Sequence, residues 1–152
     1  MNDELVAPRI YLDSNVFIRA FESVDEESKL LRTLFEALRA RRHSAVTSEL
    51  TLAEVLGNGR DLHFKRRFYR GLIEWSGFID LRPVSRSILI ETADLRKAAK
   101  HNLPDAIHLV TAIRAGCSLF ASHDRRMRPP KGMRLVLPDA TGVTAILSAL
   151  HA

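Results

Sequence analysis

The segment Arg9-Ile10-Tyr11-Leu12-Asp13-Ser14-Asn15 joins a short apolar run to a carboxylate and then to two residues that favour helix caps. Apolar runs of this length are typical of buried strands. Ser14 and Asn15 are predicted to cap a helix that runs to Phe21. The segment therefore predicts a strand that feeds a helix, with the carboxylate of Asp13 at the turn between them.

The alternation of strand and helix continues outward from this segment along the chain. Further strands are predicted at 45–47, 78–81, 117–121 and 135–137. Further helices are predicted at 26–41, 49–57, about 61–75, 86–100 and 104–115. Ser48 is the expected cap of the helix 49–57, which Gly57-Asn58-Gly59 ends. Because strands that alternate with helices pair in parallel, we expect one α/β domain over residues 1–152, a three-layer sandwich with a mostly parallel central sheet.

Composition and charge narrow the class of protein. The chain has 152 residues, of which 46% are hydrophobic and 27% charged, as in an ordinary globular domain. The single cysteine, Cys117, excludes an internal disulfide and a cysteine zinc cluster, which favours a reducing cytoplasm. The chain start lacks a signal pattern and no run reaches about 18 apolar residues, so neither export nor a membrane span is expected. The net charge of +5 favours polyanionic partners.

Four carboxylates are predicted to meet at the carboxyl edge of the sheet, where functional groups of open α/β sheets collect. Asp13 ends the first strand, and Asp124 follows the strand 117–121. Asp105 opens the helix before that strand, and a helix of about 18 Å places it at the same edge. Glu54 is the odd polar residue on an apolar helix and reaches the edge if its side chain points toward the helix N-terminus.

The chemistry of such a cluster favours a hard cation. Close carboxylates repel one another, so either some stay protonated or a cation neutralises them. Oxygen ligands select Mg²⁺ or Mn²⁺ over zinc, and these metals activate water for phosphodiester hydrolysis. The rest of the chain carries +9, with basic clusters at 39–42, 65–70 and 125–128, which suits a nucleic-acid substrate. A solvated helix face or an acidic protein partner is also compatible with these clusters.

Four segments carry these acids. They are Tyr11-Leu-Asp13-Ser-Asn15, Thr47-Ser-Glu-Leu-Thr-Leu-Ala-Glu54-Val, Leu103-Pro-Asp105-Ala-Ile-His-Leu and Leu119-Phe-Ala-Ser-His-Asp124-Arg-Arg-Met. In this order, across nearly the whole chain, they resemble the PIN-domain family and, within it, the VapC-type toxins of toxin–antitoxin pairs.

The resemblance implies an activity and a site. The catalytic and metal-binding quartet of the family is matched by Asp13, Glu54, Asp105 and Asp124. The implied activity is cleavage of single-stranded RNA with Mg²⁺ or Mn²⁺. Asn15 and Ser122 match polar positions that orient the first and fourth acids, whereas His123 stands where the family has asparagine. A homodimer and a small antitoxin, whose C-terminal segment crosses the groove and often offers an arginine to the acids, are also implied.

Alternatives remain open at single residues. Taken alone, Asp13 is compatible with a helix cap, Asp105 with a favourable helix dipole, and Asp124 with a turn. His108, one turn after Asp105, is compatible with a position facing the site, but a core or capping histidine is the favoured interpretation. His123 is compatible with either a structural or a functional role.

Two other functions also remain open. One is a PIN-like module that binds RNA or protein without catalysis. The other is a haloacid-type phosphatase with Asp13 as its nucleophile, although Asp13-Ser14-Asn15 lacks the second acid of that motif.

Trp75 and Phe78 are expected in the core rather than stacked on bases.

Overall fold

The centre of the fold is a five-stranded sheet, seen in a computed structural model that describes residues 7–58 and 63–151. The strands are β1 (Ile10–Leu12), β2 (Ala45–Ser48), β3 (Ile79–Arg82), β4 (Leu119–Ala121) and β5 (Arg134–Val136). They lie in the order β3-β2-β1-β4-β5, and every neighbouring pair is parallel. The predicted α/β fold is confirmed, and the described sheet is wholly rather than mostly parallel.

Seven helices cover the sheet within the described residues. They are α1 (Ser14–Phe21), α2 (Glu26–Arg39), α3 (Leu50–Gly57), α4 (Lys65–Arg70), α5 (Arg86–Ala98), α6 (Leu103–Arg114) and α7 (Ala140–His151). A π-helical turn, Gly71–Trp75, continues α4. No helix in these ranges is long and apolar enough to cross a bilayer.

The alternation of side chains along β1 explains the three layers. Ile10, Tyr11 and Leu12 are all fully buried, so both faces of the strand are covered. Ile10 and Leu12 belong to the larger core cluster, which includes side chains of α1, α2 and α7. Tyr11 points to the other face and packs in the cluster that includes Leu109 of α6. A strand buried on both faces reads as a continuous apolar run, as this one does.

The strand order creates a crevice at the carboxyl end of β1. After β1 the chain forms β2 and β3 on one side of β1, and it then crosses over to form β4 and β5 on the other side of β1. Pairing continues to the strand ends, where the backbone N–H of Asp13 donates to the carbonyl of Ala121 at 3.0 Å. Ligands of open α/β sheets bind where the strand order reverses in this way.

Several predicted boundaries shift by one or more residues. The helix predicted over 26–41 ends at Arg39, and that over 86–100 ends at Ala98. Ser48 is the last residue of β2, and Glu49 rather than the predicted Ser48 is the N-cap of α3, although the Ser48 Oγ accepts the N–H of Leu50 at 3.1 Å. Gly59 and the start of the helix predicted at 61–75 fall outside the described residues.

The C-terminal helix α7 is absent from the sequence prediction. Asp139 begins it by accepting the backbone N–H of Gly142 at 2.8 Å through its side chain. The first turn of α7 packs tightly on the preceding loop, since a Cβ at Gly142 would lie 1.6 Å from the carbonyl oxygen of Leu137. A glycine in a first turn weakens the sequence signal for a helix, because glycine has low helix propensity. Here close packing requires it.

Trp75 contradicts its predicted burial, whereas Phe78 confirms it. Phe78 is 1% exposed and Trp75 is 64% exposed. The π-helical turn 71–75 changes the helical repeat just before β3, and Trp75 at its end faces solvent. The exposed ring is covered on one face by the guanidinium of Arg70, 4.8 Å from its centroid.

Candidate active site

Asp13 lies in the crevice at the end of β1 and is 4% exposed. Its Oδ1 accepts the backbone N–H of Ser14 at 2.8 Å, so Asp13, rather than the predicted Ser14 and Asn15, is the N-cap of α1. Its Oδ2 accepts the hydroxyl of Ser122 at 2.7 Å. Asp13 therefore does cap α1, but the cap uses only one of its two carboxylate oxygens. The same group also faces the end of β4.

Ser122 and Asn15 connect the two strand ends. The Ser122 Oγ accepts the amide of Asn15 at 3.1 Å and the backbone N–H of Asp124 at 3.0 Å. The Asn15 side-chain oxygen accepts the backbone N–H of His123 at 3.1 Å. These bonds fix the turn after β1 against the turn after β4. Asn15 and Ser122 both contact the carboxylate of Asp13, and Ser122 also binds the backbone of Asp124.

Glu54 reaches the crevice from α3 and meets His108 of α6. His108 Nε2 donates to Glu54 Oε1 and lies 3.7 Å from Asp13 Oδ1. One ligand atom from each of Asp13, Glu54 and His108 lies within 4.8 Å of the others. The structure thus gives Glu54 the partner that a half-buried acid needs.

The sequence favoured a core or capping role for His108 over a place facing the site, and the structure gives it both a core position and a place in the cluster. It is 1% exposed, as expected for a core histidine, yet its ring faces the carboxylates. Burial lowers its pKa, but the hydrogen bond with Glu54 and the charges of Asp13, Glu54 and Asp105 outweigh burial and raise the pKa overall. Its position three residues after Asp105, on the same helix face, was the available signal.

Asp105 sits in the first turn of α6, beside the same acids. The Asn102 side chain caps this helix by accepting the backbone N–H of Asp105 at 2.9 Å. The Asp105 pKa is raised, first by burial and then by the negative charges of Asp13, Asp124 and Glu54, against a lowering effect of His108. Asp105 therefore shares an electrostatic environment with the other three predicted acids.

Asp124 is oriented by a local ion pair. Its Oδ1 accepts the backbone N–H of Arg126 at 2.9 Å and lies 3.1 Å from Arg126 Nε. This hydrogen bonding to Arg126 lowers the pKa of Asp124. Of the predicted cluster 125–128, Arg126 thus contacts an acid of the site directly. By accepting the N–H of Arg126, two residues further on, the Asp124 carboxylate also stabilises a turn, which is the structural role that the sequence left open for it.

His123 contributes no ligand atom to the cluster of Asp13, Glu54 and His108. Its ring is half-buried, and its Nε2 has no hydrogen-bond partner among the described residues. Burial lowers its pKa. The backbone of His123 nevertheless serves the site, because its N–H anchors Asn15.

Comparisons with known proteins agree with this geometry. No curated protein matches the chain significantly. Among solved structures, the chain is similar to a chain of a toxin–antitoxin complex from Klebsiella pneumoniae, with 25% identity, a TM-score of 0.63, and coverage of 85% of this chain and 97% of that one. The PIN domain family model matches residues 10–131, a span that contains all four acids. The chain therefore belongs to the PIN domain family.

Proposed function

We propose that the chain is a divalent-metal-dependent endoribonuclease that cuts single-stranded RNA. Its proposed catalytic and metal-binding residues are Asp13, Glu54, Asp105 and Asp124. The observation that carries the proposal is that Asp13 and Glu54, from separate elements, meet at the carboxyl end of β1. Asp105 lies close enough to feel the charges of these acids and of Asp124. PIN nucleases use divalent metals, and carboxylate oxygens are the donors that Mg²⁺ or Mn²⁺ prefers.

The donor set fits such an ion. Asp13, Asp105 and Asp124 would hold it directly or through water, and Glu54 would hold it or activate the attacking water. A bound Mg²⁺ or Mn²⁺ would lower the pKa of water and neutralise charge that develops on the phosphate. Ser122 fixes the Asp13 carboxylate, and His108 fixes Glu54. Partners of this kind, behind metal ligands, typically contribute about 10- to 100-fold to affinity or activity.

The proposed biological role is that of the toxin in a toxin–antitoxin pair. The similarity to a chain of a toxin–antitoxin complex supports a small protein antitoxin as partner. An RNA substrate would place the activity in the cytoplasm, and a homodimer is the assembly implied by the family. Growth arrest upon expression, relieved by a small DNA-binding protein encoded beside this chain, would support the toxin role.

Asp13→Asn is the sharpest test of the nuclease. Asparagine is also a good N-cap, so α1 should keep its start while the site loses a charge. We expect cleavage of single-stranded RNA by the wild type in Mg²⁺ or Mn²⁺, none in EDTA, and none by Asp13→Asn, with cooperative unfolding retained. Asp94→Asn, which changes an exposed acid of α5, is the matched control and should cut normally. A fully active Asp13→Asn chain would overturn the mechanism.

A module that binds RNA without cutting it is the second candidate. It is favoured by the cationic partners that two of the acids already have, His108 at Glu54 and Arg126 at Asp124. Metal titration separates the two functions. An ion that binds the folded state stabilises it by about 2.7 kcal/mol at a hundredfold excess over Kd. A nuclease should therefore show a rise in melting temperature with Mn²⁺, and a binding module should show none.

A further inference from the structure

A basic groove lies beside the acidic crevice, between the end of α5 and the start of α6. It has a volume of about 640 Å³ and is lined by Ala93, Arg96, Lys97, Lys100, His101 and Asn102. We call it the α5–α6 groove. None of its lining residues is a carboxylate. The groove lies outside the basic clusters 39–42, 65–70 and 125–128.

The three cations of the groove are available to a ligand. Arg96, Lys97 and Lys100 are exposed, and none forms an ion pair with another described residue. The Arg96 Nε donates to the carbonyl of His101 at 3.3 Å, which holds the guanidinium at the groove. The terminal nitrogens of Arg96 have no hydrogen-bond partner within the described ranges. Three unneutralised charges at one opening create a positive potential that attracts polyanions.

Two residues that line the groove are hydrogen-bonded to segments of the acidic crevice. Asn102 lines the groove and caps α6 by binding the backbone N–H of Asp105. His101 also lines it, and its Nε2 accepts the backbone N–H of Arg128, four residues after Asp124, at 3.2 Å. The wall of the groove is therefore hydrogen-bonded to the segments that carry two of the four acids. A chain of phosphates that enters the crevice on this side would cross the three cations.

The composition of the groove favours a phosphate backbone over a protein segment. Protein interfaces depend on apolar and aromatic anchors in well-packed pockets. The α5–α6 groove offers only Ala93 as an apolar lining residue. Contacts from lysine and arginine to phosphates position a strand without reading its bases, which suits a surface that leads to a cutting site.

We propose that the α5–α6 groove binds the phosphate backbone of single-stranded RNA on one side of the bond that is cut, with Arg96, Lys97 and Lys100 as positioning residues. This inference rests on the proposed nuclease function. Because the three cations act at a distance from the reacting phosphate, their loss should raise KM and leave kcat unchanged. Their loss should also reduce the salt dependence of RNA binding.

The test uses the double variant Lys97→Gln/Lys100→Gln and the control Lys131→Gln/Arg134→Gln, which removes two exposed charges that lie outside the groove and outside the basic clusters 39–42, 65–70 and 125–128. Binding of a fluorescent single-stranded RNA of mixed sequence is measured against salt in an Asp105→Asn background, which prevents cleavage. Each phosphate contact contributes about 0.7 to the slope of log K against log salt, so the slope should fall by about 1.4 in the first pair. The control pair should keep the wild-type slope. In chains with Asp105 restored, only the first pair should raise KM.

Three results would overturn the groove assignment. The first is an unchanged slope in Lys97→Gln/Lys100→Gln. The second is an equal fall in both double variants, which would mean that net charge alone attracts RNA. The third is retained RNA binding with lost binding of poly-glutamate, which would make the groove a protein surface. A wild type that cuts RNA alongside any of these results refutes only the groove. A wild type that never cuts, but binds RNA through Lys97 and Lys100, refutes only the nuclease.

Discussion

His108 of α6 donates a hydrogen bond from Nε2 to the carboxylate of Glu54 on α3. On the other side of the ring, Nδ1 lies 2.5 Å from the hydroxyl of Tyr11. That hydroxyl also accepts the backbone N–H of Ser48 at 3.2 Å. His108 is therefore held between Tyr11 and Glu54, and its protonated form partly offsets the charge of the carboxylates.

The raised pKa of His108 predicts how the stability of the metal-free protein depends on pH. Stability from a group whose pKa rises on folding is complete below its ordinary pKa, 6.5 for histidine, and is lost as pH rises through the folded-state value. In EDTA, the melting temperature of the wild type should therefore fall as pH rises above 6.5. His108→Gln should flatten this fall, whereas His63→Gln, at an exposed position, should keep it. Parallel curves for wild type and His108→Gln would refute the role of this proton.

Asp105→Asn is expected to stabilise the metal-free protein. The Asp105 pKa is raised on folding, so ionisation of this carboxyl destabilises the native state. An uncharged amide removes the repulsion from Asp13, Asp124 and Glu54. In a chain of this size each kcal/mol shifts the melting temperature by about 2–4 °C, and the shift should be upward in EDTA. Asp94→Asn should show no shift; a lower melting temperature for Asp105→Asn would contradict the electrostatic account.

Arg126→Gln should strengthen binding of Mn²⁺. The guanidinium occupies Oδ1 of Asp124 and carries a positive charge that competes with a metal cation. Its side chain is 86% exposed, so its removal should change the melting temperature little. Mn²⁺ affinity is measured by calorimetry at pH 7. Arg125→Gln removes the same charge one residue away and should leave affinity near that of the wild type; equal or weaker binding by Arg126→Gln would show that Arg126 does not compete with the ion.

Gly142→Ala should destabilise the fold. The added Cβ would lie 1.6 Å from the carbonyl oxygen of Leu137, so α7 must shift away from the loop before it. Overpacking of this kind costs about 1–3 kcal/mol, which thermal or denaturant unfolding would detect. Gly57→Ala, at the end of α3, is the control, because no atom lies within 4 Å of its added Cβ. It should be neutral or stabilising, and an equal loss in both variants would remove the steric explanation.

Local sequence signals predicted the strands and the carboxylates at their ends, because these depend on short-range properties. The apolar run before Asp13 and the polar turn after Ala121 each predict a strand end, and the parallel sheet brings such ends to one edge. The order of the strands was not predictable in this way. Pairing of β1 with both β2 and β4 depends on contacts between residues far apart in the chain.

The features that the sequence did not predict also depend on tertiary structure. The orientation of His108 toward Glu54 requires α3 and α6 to pack side by side, which no single helix reveals. Trp75 is exposed at the end of a π-helical turn, a feature that the sequence did not predict. The glycine that weakens the signal for α7 is explained only by the nearby carbonyl of Leu137.

The bond between Ser122 and Asp13 spans 109 positions of the chain. During synthesis, the ribosome would release Asp13 long before Ser122 and the strand ahead of it. A partly made polypeptide would thus hold its first acid without the hydroxyl that steadies it and without Asp124. An RNA-cutting protein built in this way would stay inert beside the messenger and ribosome that produce it until β4 has joined β1.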